Sequence, residues 1–103
     1  MLVELISANA PAERIALQRL PAMIGRDDGA EVHLDDSWVG RCQCIVDREG
    51  DELRVLDLGS RTGTFVNGRR VSRSPLLPGD RLLVGRTEFV VQYTQAAIAA
   101  PRG

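Results

Sequence analysis

Apolar residues in this chain fall in short runs, alternating or continuous, and nowhere hold a helical three-to-four spacing over a helical length. Leu2-Val3-Glu4-Leu5-Ile6 predicts a first strand, closed by Ser7-Ala8-Asn9-Ala10-Pro11. Arg14 to Leu20 alternates, with Ile15 and Leu17 on one face and Arg14 and Gln18 on the other, so the two runs predict a hairpin. Met23-Ile24-Gly25 and Glu31-Val32-His33-Leu34 are short third and fourth strands. Cys42 to Asp47 and Glu52 to Asp57 are the next two, joined through a turn at Arg48-Glu49-Gly50-Asp51. Thr64-Phe65-Val66 and Arg69-Arg70-Val71 flank Asn67-Gly68, the strongest short hairpin signal, because both residues tolerate positive φ. Beyond the turn Pro78-Gly79-Asp80 come Arg81 to Val84 and Thr87 to Tyr93, the latter with Phe89, Val91 and Tyr93 on one face. Roughly ten short strands, with turns about every 8–12 residues, predict an all-β sandwich or barrel.

Composition narrows the class. The 103 residues are 44% hydrophobic and 26% charged, enough for one small folded domain and too apolar for a disordered chain. Aromatics are only 4%, so Val, Leu and Ile must fill most of the core. No apolar run approaches the roughly 20 residues of a membrane span, and the first residues carry no basic export signal. The expectation is a cytoplasmic domain over residues 1–93, with 94–103 a flexible tail or the start of a linker. Cys42 and Cys44, two apart, are expected on one inward face of a strand together with Val46, as buried thiols. With His33 the only histidine, neither a zinc site nor a hydrolytic triad can be assembled, so no metal, no cofactor and no catalytic residue is expected.

The net charge of −1 argues against a nucleic-acid partner, but its distribution is uneven. All 13 basic residues are Arg. Acids crowd Asp27 to Asp36 and Asp47 to Glu52, whereas Leu58 to Gly79 holds Arg61, Arg69, Arg70 and Arg73 and no acid. Binding residues of a sandwich collect on loops at one end. Three loops hold residues that periodicity leaves over: Gly25-Arg26-Asp27-Asp28-Gly29, Ser37-Trp38-Val39-Gly40-Arg41 and Gly59-Ser60-Arg61-Thr62-Gly63-Thr64. Each supplies an Arg beside Gly, Ser or Thr, which together suit an anion: guanidinium charge, hydroxyl and main-chain donors, and close backbone approach. Trp38, the sole Trp, is expected to cap the edge of the core, with an aromatic face presented to a partner as the alternative.

In order and spacing, Gly25-Arg26, then Val39-Gly40-Arg41-Cys42-Gln43-Cys44, then Asp57 to Gly68, then Leu76 to Gly85 resemble the forkhead-associated (FHA) domain over residues 2–93. The resemblance implies an antiparallel β-sandwich of about eleven short strands that docks phosphothreonine peptides through loops at one end. Its partners would be phosphothreonine-containing proteins, a Ser/Thr kinase or its substrate, with neither nucleic acid nor membrane involved. It assigns Arg26 and Arg41 to the phosphate, and Arg61 and Thr62 to the loop touching phosphate, threonine methyl and peptide main chain. Gly40 and Ser60 complete the expected phosphopeptide-binding set. Three positions depart from the family pattern: Gly40 stands where the phosphate-binding Ser is usual, Gln43 where a bracing His is, and Thr62 where an Asn grips the partner backbone. Loss of one hydrogen bond to a charged group costs about 1.5–3 kcal/mol. The Gly40 backbone N–H, Ser37, Ser60 and Arg61 are at hand to offset it, and Gln43 retains both a donor and an acceptor. The alternative is a degenerate FHA domain serving phosphorylation-independent protein interaction or self-association.

Overall fold

The computed structural model describes residues 2–9 and 13–94, and all of their helix or strand content is strand. The eleven strands are β1 (Val3–Ser7), β2 (Arg14–Leu17), β3 (Ala22–Gly25), β4 (Val32–His33), β5 (Cys44–Glu49), β6 (Glu52–Asp57), β7 (Thr64–Val66), β8 (Arg69–Val71), β9 (Arg73–Leu76), β10 (Arg81–Val84) and β11 (Thr87–Gln92). They form a six-stranded sheet, β2-β1-β11-β10-β7-β8, and a five-stranded sheet, β4-β3-β5-β6-β9. Alternation decides which side chains face inward. Val3, Leu5, Leu82, Val84, Phe89 and Val91 from the first sheet meet Ile24, Cys44, Val46, Leu53, Val55 and Leu76 from the second, all at most 1% exposed. The core is therefore aliphatic with one central ring, as the composition requires.

Three features differ from the sequence expectation. The sandwich is not wholly antiparallel, because β3 and β4 pair in parallel, Ile24 opposite Val32. Strand β9 lies in a stretch with no alternation to reveal it: Arg73-Ser74-Pro75-Leu76 buries only Leu76. It tolerates Pro75 because it is an edge strand, where a missing N–H breaks no ladder. Strand β5 begins at Cys44, so Cys42 sits in the preceding turn and is exposed while Cys44 is buried. The two thiols do not share a face. The Asn67-Gly68 hairpin is realised as read, with φ of 51° and 84° at the two turn residues. The proposed tail lies, from residue 95 onward, outside the described residues, as do residues 10–12 of the β1–β2 connection.

At the end of β11, the Tyr93 hydroxyl ties the two sheets together. It donates to the Leu76 carbonyl at 2.6 Å and accepts from the Leu53 N–H at 3.2 Å, both buried bonds. Burial pushes its phenol above the usual tyrosine range. Tyr93→Phe is expected to leave two buried backbone groups without that partner and to lower unfolding stability by about 1–3 kcal/mol, read from the denaturation midpoint in urea.

Candidate functional site

At the loop end of the sandwich the β3–β4, β4–β5 and β6–β7 connections meet because ladder pairing continues beyond the strands. Arg26 N–H donates to the Gly40 carbonyl at 3.0 Å, Asp27 N–H to that of Arg41 at 3.1 Å, and Leu58 N–H to that of Gln43 at 3.0 Å. Gly25 permits the first two bonds. A β-carbon there would lie 2.0 Å from the Arg41 carbonyl oxygen, so only glycine allows the loop to lie against β3.

Side chains fasten the loops further. Arg26 Nε donates to the Val39 carbonyl at 2.6 Å, fixing the root of the guanidinium. Thr62 Oγ1 donates to the Trp38 carbonyl at 2.7 Å, clamping the third loop to the second. Gln43 is fully buried, and both ends of its amide are used. Its Oε1 accepts from Gly40 N–H at 2.7 Å, and its Nε2 donates to the Gly63 carbonyl at 2.9 Å and Thr64 Oγ1 at 3.2 Å. An amide thus braces the loops at this position without a histidine.

The network ends on Asp57, a residue the sequence reading passed over. Asp57 Oδ1 accepts from the Ser60 hydroxyl at 2.5 Å and the Thr64 hydroxyl at 2.6 Å, and Oδ2 from the N–H groups of Gly59 and Ser60 at 3.0 and 2.9 Å. The signal was present as an Asp two residues before Gly59, the pattern of a side chain capping its own turn. Burial works against ionisation of Asp57, but four donors outweigh it and hold the carboxyl below its usual range. Asp36 follows the same pattern. Burial opposes its charge, and the N–H groups of Arg86 and Trp38 with the Thr87 hydroxyl overcome it. Cys44, beside this network, has its thiol pushed up to about 12 by burial, against a hydrogen bond with Thr64, and is inert at neutral pH.

Depressed carboxyls make the loops acid-labile. Their stabilisation is complete above the unfolded value near 3.8 and is lost as pH falls through the lower folded value. Asp57→Asn is therefore expected to melt below wild type at pH 6, with the gap narrowing as pH falls below about 4; thermal midpoints measured from pH 6 downward check it.

Between the loops lies a cleft of about 600 Å³ lined by Arg26, Gly40, Arg41, Ser60, Arg61 and Thr62, all six residues expected from the sequence, together with Ser37, Trp38, Val39, Cys42 and Gly59. Three arginines and no carboxylate line it. Arg41 reaches Asp27 only at 3.6 Å and is 75% exposed. Arg61 has no ion pair or side-chain hydrogen bond among the described residues. Several expected donors are engaged elsewhere. The Gly40 N–H belongs to Gln43 and so does not replace a missing hydroxyl, while Ser60 and Thr62 give their protons to Asp57 and Trp38. Their oxygens face loop partners, and charge in the cleft falls to the arginines. Trp38 is not packed into the core; it is 50% exposed, lines the cleft and carries Arg86 over its ring at 5.0 Å.

A β-sandwich that presents an arginine-lined cleft on loops at one end is the architecture of a protein-interaction module that reads an anionic group on its partner. The family model of the FHA domain matches residues 22–85, and the chain belongs to that family, whose members bind phosphothreonine peptides. It is 34% identical over 77 residues to an oxoglutarate dehydrogenase inhibitor of Corynebacterium jeikeium, covering 75% of this chain and 54% of that protein. The glycogen accumulation regulator GarA of Mycolicibacterium smegmatis is likewise 34% identical over 77 residues, covering 75% and 49%. The chain thus spans about half the length of these curated relatives. An FHA structure solved in work on phosphothreonine-dependent FHA domain interactions superposes with a TM-score of 0.84 at 28% identity, over 91% of this chain and 98% of that one.

Proposed function

We propose that this domain is a cytoplasmic, non-catalytic docking module that binds phosphothreonine segments of partner proteins, a Ser/Thr kinase or its substrate among them, through the cleft of Arg26, Gly40, Arg41, Ser60, Arg61 and Thr62. One observation carries the reading: guanidinium groups from three separate loops line a single cleft that contains no carboxylate. Arg26, its root held by Val39, offers its terminal amines to the phosphate; Arg41 and Arg61 add charge from the other two loops. Ser60, Thr62 and Gly40 shape the wall and hold the loops rather than donate. The phosphate is thus gripped chiefly by charge, in place of the mixed charge and hydroxyl set that the family pattern implies.

Titration of a degenerate phosphothreonine peptide library and its unphosphorylated counterpart tests the reading. Binding of the phosphorylated set alone supports it; equal binding of both sets, or of neither, overturns it. Gly40→Ser is expected to tighten phosphopeptide binding about tenfold by adding a second hydroxyl to a wall that otherwise offers that of Ser37. A β-carbon at Gly40 would lie 3.3 Å from Gln43 Oε1, a contact that a slight turn of the amide relieves. A second reading, phosphate-independent docking on the same fold, has one observation in its favour: three neutral donors of the cleft, Gly40 N–H and the Ser60 and Thr62 hydroxyls, are already engaged within the protein. Equal affinity of a partner with and without its phosphate would select it.

A further inference from the structure

Two sets of arginines in this domain differ in their surroundings. Arg14, Arg41, Arg54 and Arg81 each face a carboxylate, at 3.1 to 3.6 Å. Arg61, Arg69, Arg70 and Arg73 face none among the described residues, and all four are exposed. They belong to the one stretch, Leu58 to Gly79, that contains no acid. The fold brings three of them to the border of a single loop. Arg61 lies on the 58–63 loop and lines the cleft. Arg70 lies alongside the same loop: a β-carbon built on Gly63 would be 2.8 Å from Arg70 Nε, so the guanidinium stem rests on that glycine. Arg73 is opposite Leu56 in the β6–β9 ladder, and the neighbouring Ser72 carbonyl accepts the Asp57 N–H at 2.9 Å. Arg70 and Arg73 therefore flank the root of the loop that carries Arg61 into the cleft.

The segment that leads to the cleft from the other side has the opposite sign. Asp27, Asp28, Asp35 and Asp36 crowd the β3–β4 and β4–β5 connections. Unneutralised guanidinium groups 61, 70 and 73 on one side and this acidic run on the other make the surroundings of the cleft electrically polar.

We propose that Arg70 and Arg73 form an extension of the cleft that selects phosphothreonine segments carrying Asp or Glu on one side of the phosphorylated residue only. This rests on the phosphopeptide reading of the cleft. An acidic flank laid over the 58–63 loop meets charges that lack a carboxylate partner among the described residues, whereas the same residues on the other flank meet like charge. A nucleic acid fits the patch less well. The domain's net charge is −1, and Phe65, opposite Arg70 in the ladder, is half-buried. Exposed ion pairs are individually weak and are screened by salt, so the expected gain is roughly three- to tenfold at low ionic strength.

The test uses three phosphothreonine peptides, with three Glu before the phosphothreonine, three Glu after it, or neutral flanks, titrated into wild type and an Arg70→Gln/Arg73→Gln double variant. Gln keeps an aliphatic stem over Gly63 while removing charge. The proposal expects one acidic arrangement to bind three- to tenfold more tightly than the neutral peptide, the other not to, and the gain to vanish in the variant and in 0.5 M salt. Affinity for the neutral peptide should be the same in both proteins. Equal affinity for all three peptides, or a gain that persists in the variant, overturns the extension while leaving the phosphate cleft standing. Failure of every phosphopeptide to bind overturns both. Retention of a random oligonucleotide that depends on Arg70 and Arg73, with no effect of peptide flank, reassigns the patch to nucleic acid.

Discussion

Arg26→Ala is expected to weaken phosphothreonine-peptide binding by about 2–3 kcal/mol, roughly 30- to 150-fold, with little change in the global unfolding midpoint. Two effects combine. The guanidinium is one of three cationic groups lining the cleft, and charge-assisted bonds to phosphate are the strong ones. Its Nε also holds the Val39 carbonyl at 2.6 Å, so truncation loosens the loop that presents Arg41. Arg26→Lys separates the two contributions. An ammonium keeps the charge but lacks the fork that grips Val39 and an anion together, so its affinity should fall between wild type and alanine. Isothermal titration with one phosphopeptide measures all three proteins. Affinity of Arg26→Ala within twofold of wild type would contradict the phosphate assignment and favour phosphate-independent docking.

The largest effect on the scaffold is expected at Gly25→Ala. A single methyl would sit 2.0 Å from the Arg41 carbonyl oxygen and 2.8 Å from its carbon, and both belong to main chain. Relief requires the 37–42 loop to move off β3, which stretches the bonds from Arg26 N–H and Asp27 N–H to that loop. The expected cost is about 2–4 kcal/mol in unfolding stability, at the upper end of single-substitution effects, with phosphopeptide binding lost even where the domain stays folded. Urea denaturation gives the first quantity and titration at a temperature well below the midpoint the second. Gly40→Ala serves as control. Its β-carbon would meet Gln43 Oε1 at 3.3 Å, Gln43 Cα at 3.8 Å and the Cys42 carbonyl oxygen at 3.9 Å, and its cost should stay below about 1.5 kcal/mol.

Legibility in the sequence followed burial. Where one face of a strand is buried, alternation is enforced, and β1, β6, β10 and β11 lie where the pattern of Leu, Val and Phe put them. The Asn67-Gly68 turn was equally legible, because left-handed backbone restricts the residues that can occupy it. Strand β9 was not, since an edge strand with one buried side chain and a proline imposes no period. Cys42 was misplaced by extending a strand period into a turn. Trp38 stood open between core edge and partner face, because size and apolarity suggest burial and nothing in a lone residue says that Arg86 will cover its ring.

The six cleft residues were readable as a set from loop positions and from likeness to the FHA pattern, yet their individual tasks were not. A hydroxyl or an N–H has one proton to give, and its recipient is a matter of geometry among residues distant in the chain. Ser60, Thr62 and Gly40 each give theirs to a loop partner, and Asp57 emerges as the acceptor that orders the third loop.

Local rules wrote the strands, the turns and the supply of arginines into the linear code, because period, φ preference and charge are properties of neighbouring residues. The packing of two sheets alone decided which arginines would share a cleft, which would stand over Gly63, and which donors would be consumed in holding the loops. Those outcomes depend on distances between segments tens of residues apart, and such distances exist only once the core has closed.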